Sequence, residues 1–246
     1  MRGSPSKYCP AFLRDFATGM RQTPGCTVRL VLILDRREPE SAREVVEAAL
    51  KARETYGDFV VGLDVAGDEH QGPPEELAPH FTPAFERCVP ITIHAGETRD
   101  AESIWSAVYH LHADRVGHGL TLPERPELMD RFRERRIAVE LCPTSNVEVV
   151  GYDPGGTYPL RRLMGARLPV AVCTDNPGIS RTEPAAEYLR AAELVGGLTL
   201  WETLALIRNA FVHSFAPAPL RERLLQEADA EIYRLVSAWG EDGDRR

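Results

Sequence analysis

Lysine is nearly missing from this chain of 246 residues: Lys7 and Lys51 are its only two. Schiff-base, pyridoxal-phosphate and lysine-bridged dinuclear metal chemistry all need such an amine, so they are disfavoured anywhere after residue 51. Cysteine is sparse and unpaired. Cys9, Cys26, Cys88, Cys142 and Cys173 make an odd count with no C-x-x-C spacing, which argues against a disulfide framework and against cysteine-built zinc sites. No stretch approaches the roughly 18 uncharged apolar residues of a membrane span, and the opening MRGSPSKYCPAFLRDF has no apolar signal core. The chain therefore reads as cytoplasmic. An excess of basic residues is also lacking: 29 Lys and Arg face 37 Asp and Glu, for a net charge of −8. Nucleic acid and anionic membrane are not the expected partners.

What is present suits one folded domain. Hydrophobic residues make up 43% and charged residues 27%, enough to bury a core at a length that an α/β barrel commonly occupies. Short apolar, β-branched runs recur at 28–35, 60–66, 89–94, 115–119, 137–142 and 170–174. Between them lie segments with helical spacing, at 40–53, 102–111, 124–136 and 158–166. Alternation of this kind predicts parallel βα units, and strands apolar almost throughout predict cover on both faces. After the sixth run, three helices are expected at 183–194, 199–215 and 220–239, with a tail over 240–246. The expected fold is an α/β, TIM-type barrel that is incomplete, with about six of eight βα units and then C-terminal helices. Residues 1–246 read as one domain. Tyr8, Phe12, Phe16 and Met20 recur every four residues and predict an N-terminal helical segment within 1–25.

The reactive side chains gather at the strands' C-terminal ends. Asp64 and Gly67-Asp68-Glu69 follow the second run, His94 and Glu97 the third, His118 the fourth, Cys142-Pro-Thr-Ser-Asn146 the fifth, and Asp175-Asn176 the sixth. In parallel α/β folds this edge carries the ligand site. Two imidazoles and two carboxylates there have the ingredients of a hydrolytic metal site, with His94 and Asp175 the best ligand candidates. Each has a plainer reading: His94 as a loop histidine, Asp175 as a helix cap, His118 as a turn residue between two glycines. Their convergence on one edge favours the site.

The motifs GLDVAGDE, ITIHAGE, RVGHG, ELCPTSN and VCTDNP, in this order, closely resemble the adenosine deaminase family over about residues 25 to 238. That resemblance implies a TIM-type barrel in which one zinc ion supports hydrolysis of a 6-aminopurine to the 6-oxo compound and ammonia. It implies His94 and Asp175 as zinc ligands and Glu97 as the acid that protonates purine N1. His118 would orient or deprotonate the attacking water, and Gly67 would be a backbone donor to the purine. Asn176 stands where the family's T-D-D-P pattern has a second aspartate. An amide can donate to purine N7 without first being protonated, so this position bears on which purine is preferred.

The family also implies two zinc-binding histidines spaced H-x-H on a first strand, followed by a second strand. No histidine precedes His70 here. The one H-x-H, His110-Leu111-His112, falls at a predicted helix end, where residues two apart do not face one another. The expectation is thus a C-terminal part of the barrel lacking the first two strands and holding zinc weakly. Such a part would self-associate or need a complementing N-terminal fragment. The rival expectation is a catalytically silent fragment that binds a purine or a protein partner.

Overall fold

The computed structural model describes residues 13–19, 27–153 and 157–243. Six strands form one parallel sheet in chain order: β1 (Leu30–Asp35), β2 (Val60–Ala66), β3 (Ile91–Ala95), β4 (Arg115–His118), β5 (Ala138–Leu141) and β6 (Val170–Val172). Six helices connect them: α1 (Ala42–Tyr56), α2 (Pro74–Glu86), α3 (Ala101–His110), α4 (Pro126–Arg135) and, between β5 and β6, the pair α5 (Pro143–Val150) and α6 (Leu160–Gly165). After β6 come α7 (Pro177–Ser180), α8 (Pro184–Leu194), α9 (Leu200–Val212) and α10 (Ala218–Gly243). This is the expected incomplete barrel, six parallel strands flanked by helices. Among the described residues, β1 pairs only with β2 and β6 only with β5.

The strands' two-residue period divides the molecule. Leu34, Leu63, Val65, Ile91, Ile93, Val116, Val139, Leu141, Val170 and Val172 point to the helices and form the main core. The alternate positions face the hollow and are largely polar: Asp64, Thr92, His94, Arg115 and Glu140. Thr92 Oγ1 donates to Glu140 Oε2 at 2.7 Å, and Arg115 Nε lies 3.0 Å from Glu140 Oε1, a layer of charge inside the wall. On β1, Ile33 also faces this side and is 58% exposed, since among the described residues no strand pairs beyond β1 to cover it.

Two helices, at 74–86 and 143–150, lie outside the segments whose spacing reads as helical in the sequence. Residues 74–86 carry Pro79 and Pro83 inside the helix, which argue for a loop on propensity alone. Burial of Leu77, Phe81 and Ala84 outweighs the lost hydrogen bonds. Residues 143–146 are polar or proline, and Pro143 at the first helical position starts α5 while Gly151, in the left-handed region, stops it. At α9 the signals agree, since Thr199 and Glu202 form a reciprocal capping box. The last helix continues to Gly243, past the tail boundary read at residue 240.

Of the expected N-terminal helix, residues 13–19 are helical; Tyr8, Phe12 and Met20 lie outside the described residues. Leu13 packs with Ala52 and Val60, and Phe16 meets Phe59 with ring centroids 5.8 Å apart. No helix among the described residues is long and apolar enough to cross a membrane.

Candidate active site

Parallel register brings the third and fourth strands' motifs together. His94 on β3 lies opposite Gly117 on β4, where a Cβ would sit 3.4 Å from the imidazole. The glycine therefore leaves the ring free to lie across the neighbouring strand. Asp64 on β2 is in register with Thr92, two residues before His94 and on the same face. Its Oδ1 stands 3.1 Å from His94 Nδ1, so Nε2 is the nitrogen left for a ligand, the arrangement usual behind a metal-binding histidine. Burial works against charge on His94, but the Asp64 carboxylate outweighs it and raises the imidazole to about 9.

His118 ends β4 with φ 64°, followed by Gly119 with φ 57°. A non-glycine residue in this left-handed region is uncommon and costs on the order of 1 kcal/mol, a strain that clusters at functional sites. The ring is buried beside His94, centroids 5.0 Å apart. Burial, reinforced by the charge on His94, lowers His118 to about 4. Glu97 Oε1 lies 3.4 Å from His118 Nδ1, yet it is a buried oxygen with no hydrogen-bond partner among the described residues. Burial raises the Glu97 carboxyl to about 7, against the opposing pull of His94.

Asp175 also sits in the left-handed region, φ 55°, just beyond β6. Asp175 is exposed, and its charge acts on His94, Glu97 and His118 together. Asn176 caps the short α7 and is exposed. Gly67 has φ 97°, and a Cβ there would fall 2.7 Å from Asp35 Oδ1, so the backbone geometry itself requires glycine.

Several residues build the site without having been assigned a role from sequence. Glu69 is 3% exposed and clamps the loop that carries Glu97. Its carboxylate accepts main-chain N–H bonds from Gly96, Glu97, Thr98 and Arg99, and these hold its pKa below the usual carboxylate value despite burial. Arg36 is buried behind β3, donating to the His94 carbonyl at 2.8 Å and to the Gly72 carbonyl at 3.1 Å. Asn146 and Tyr158 stand behind His118. Asp64, Glu69 and Asn146 fall within the sequence clusters at the strand ends, whereas Arg36 and Tyr158 carry no local signal.

The donor chemistry of His94 and Asp175 suits zinc, but their number does not. A catalytic zinc site takes about three protein ligands, and among the described residues no group of three metal-binding side chains converges. His110 and His112 do not fill the gap. They lie at the N-terminal end of β4, the opposite end from the site, His112 stacked on Phe85 with centroids 4.4 Å apart.

The family model for adenosine deaminase matches residues 4–231. The chain belongs to the adenosine deaminase family. The match begins well before residue 25, where the sequence motifs first placed it. An adenosine deaminase of Pectobacterium atrosepticum is 36% identical over 219 residues, covering 87% of this chain and 61% of the relative. The N6-methyl-AMP deaminase of Arabidopsis thaliana superposes with a TM-score of 0.76 at 29% identity, covering 89% of this chain and 66% of that one. Arabidopsis ADAL, solved in complex with IMP, gives a TM-score of 0.76 at 28% identity over the same shares. The chain thus spans less than two thirds of the length of these relatives.

Proposed function

We propose that this chain supplies the purine-facing part of a zinc-dependent aminohydrolase site that converts a 6-aminopurine, adenosine or a relative, to the 6-oxo purine and ammonia. The observation that carries this reading is Glu97: a half-buried carboxyl, raised to about 7, whose buried Oε1 has no hydrogen-bond partner among the described residues and lies beside His118 at a strand end. Purine C6 is a poor electrophile until N1 takes a proton, and a carboxyl titrating near neutrality is suited to give it. The purine-bound Arabidopsis relative supports a purine as the small-molecule partner. Gly67 and Asn176 stand at the rim, where they would meet the ring.

His94 and Asp175 would be two of the zinc ligands, and bound zinc supplies water activated near neutral pH. The remaining donors must come from outside residues 27–243, on an H-x-H strand, and none of the residues before His70 is a histidine. A complementing fragment that adds two strands would also cover Ile33 and the unpaired edges of β1 and β6. The missing third donor among the described residues favours a second reading, a silent fragment that binds purine without turnover.

Co-expression with a fragment carrying an H-x-H strand separates the two. An ultraviolet assay on adenosine, adenine, AMP and N6-methyl-AMP should show turnover only in the complemented form, and Glu97→Gln should abolish it while sparing metal content. Turnover that survives Glu97→Gln would refute the acid role; purine binding with no turnover in the complemented form would establish the silent reading.

A further inference from the structure

The orientation of one buried amide settles what His118 can do. Asn146, in the first turn of α5, is fully buried. Its side-chain oxygen accepts the Cys142 main-chain N–H at 3.2 Å and the Tyr158 hydroxyl at 3.0 Å. A main-chain N–H can only donate, so the atom facing it must be Oδ1; a flipped amide would set NH2 against N–H, two donors face to face. The other end of the amide is then Nδ2, which can only donate, and it stands 3.0 Å from His118 Nδ1. His118 Nδ1 is therefore an acceptor and carries no proton. In a neutral imidazole the proton then resides on Nε2. The Glu97 oxygen at 3.4 Å is a more distant neighbour of Nδ1 than the amide.

We infer that Asn146 is a positioning residue that fixes His118 as the Nε2–H tautomer, so that His118 donates a hydrogen bond to the attacking water oxygen and is not the base that takes its proton. To act as that base, His118 would need a free lone pair on Nε2 and hence a proton on Nδ1, directed at the Asn146 NH2. That arrangement sets two donors face to face between side chains that are both buried. The proton lost by the water passes to a group other than His118. This inference rests on the deaminase reading for its role in catalysis, while the tautomer itself is a property of the chain alone.

The test is a long-range proton–nitrogen NMR correlation of the histidine rings in the nitrogen-15-labelled full chain, with His118→Gln assigning the His118 signals. The expected spectrum has a pyridine-type Nδ1 and a pyrrole-type Nε2 for His118, unchanged from about pH 5.5 to 8. Tyr158→Phe keeps the Cys142 bond and should leave that pattern intact. Asn146→Asp presents a carboxylate to Nδ1 and should reverse the pattern, moving the proton to Nδ1. A wild-type His118 that is Nδ1–H, a tautomer mixture, or doubly protonated near neutral pH would overturn the inference without need of any variant. In the complemented form, Asn146→Asp should also move the pH–rate profile by giving His118 a free Nε2 lone pair; an unmoved profile would overturn the catalytic role. Absence of turnover in every complemented form would sink the deaminase reading and leave the tautomer result standing.

Discussion

Removing the Glu69 clamp should be among the most damaging single changes to this chain. Oε2 accepts from the main-chain N–H groups of Glu97 at 3.0 Å, Thr98 at 2.6 Å and Arg99 at 3.2 Å, while Oε1 accepts from Gly96 N and from Ser103 Oγ at 3.2 Å. Each buried donor left without a partner costs about 1–3 kcal/mol. Gly96 and Ser103 are buried, whereas Thr98 is exposed enough to find water, so Glu69→Ala should cost about 3–5 kcal/mol. Glu69→Gln keeps one acceptor but turns an NH2 toward donors, and should cost about 2–3 kcal/mol. Either figure is a large fraction of the roughly 5–15 kcal/mol that holds a typical domain. Protonation adds a second signature. The folded Glu69 pKa lies below its ordinary value of 4.5, because the hydrogen bonds outweigh burial. A depressed carboxyl contributes stability that is present above the unfolded pKa and lost as pH falls through the folded one. Urea unfolding followed by far-ultraviolet circular dichroism should therefore show a wild-type advantage over Glu69→Gln that is full near pH 7 and shrinks below about pH 4.5. A gap under about 1 kcal/mol near pH 7, or one unchanged at about pH 3, would refute the clamp.

Glu97 should behave in the opposite sense. Its folded pKa is raised from 4.5 to about 7, so wild-type stability is full below 4.5 and falls as pH rises through 7. Glu97→Gln should accordingly be more stable than wild type near pH 8 by about 1–3 kcal/mol, with no gain near pH 4, as read by urea unfolding. At Gly67, φ 97° and the 2.7 Å approach to Asp35 Oδ1 predict that Gly67→Ala costs about 1–3 kcal/mol, whereas Gly165→Ala, with open space around its Cβ, should be neutral within about 1 kcal/mol in thermal melts. Dialysis against a mild chelator should strip zinc from the chain alone, since only His94 and Asp175 would hold it; stoichiometric retention would show a further donor at the site.

The sequence by itself determined the order of elements and the edge that carries the chemistry. Apolar β-branched runs alternating with helical spacing can fold only as parallel βα units, and the motifs at 64–69, 94–97, 118, 142–146 and 175–176 all follow strands. That local pattern is why the six strands and the family were legible. It named no helix at 74–86 or 143–150, where proline and polar residues argue against helix locally and burial or capping decides otherwise. What only the tertiary structure decided are the pairings between distant elements. The Asp64–His94 contact depends on the register of β2 with β3, and the Glu69 clamp joins residues about thirty positions apart. Arg36 reaches the back of His94 across 58 positions, and the orientation of Asn146 depends on Cys142 and Tyr158 together. Hydrogen-bond direction and burial exist only once separate strands are packed against one another. They raise Glu97 to about 7 and lower His118 to about 4, so the protonation equilibria of these side chains belong to the fold and not to any motif.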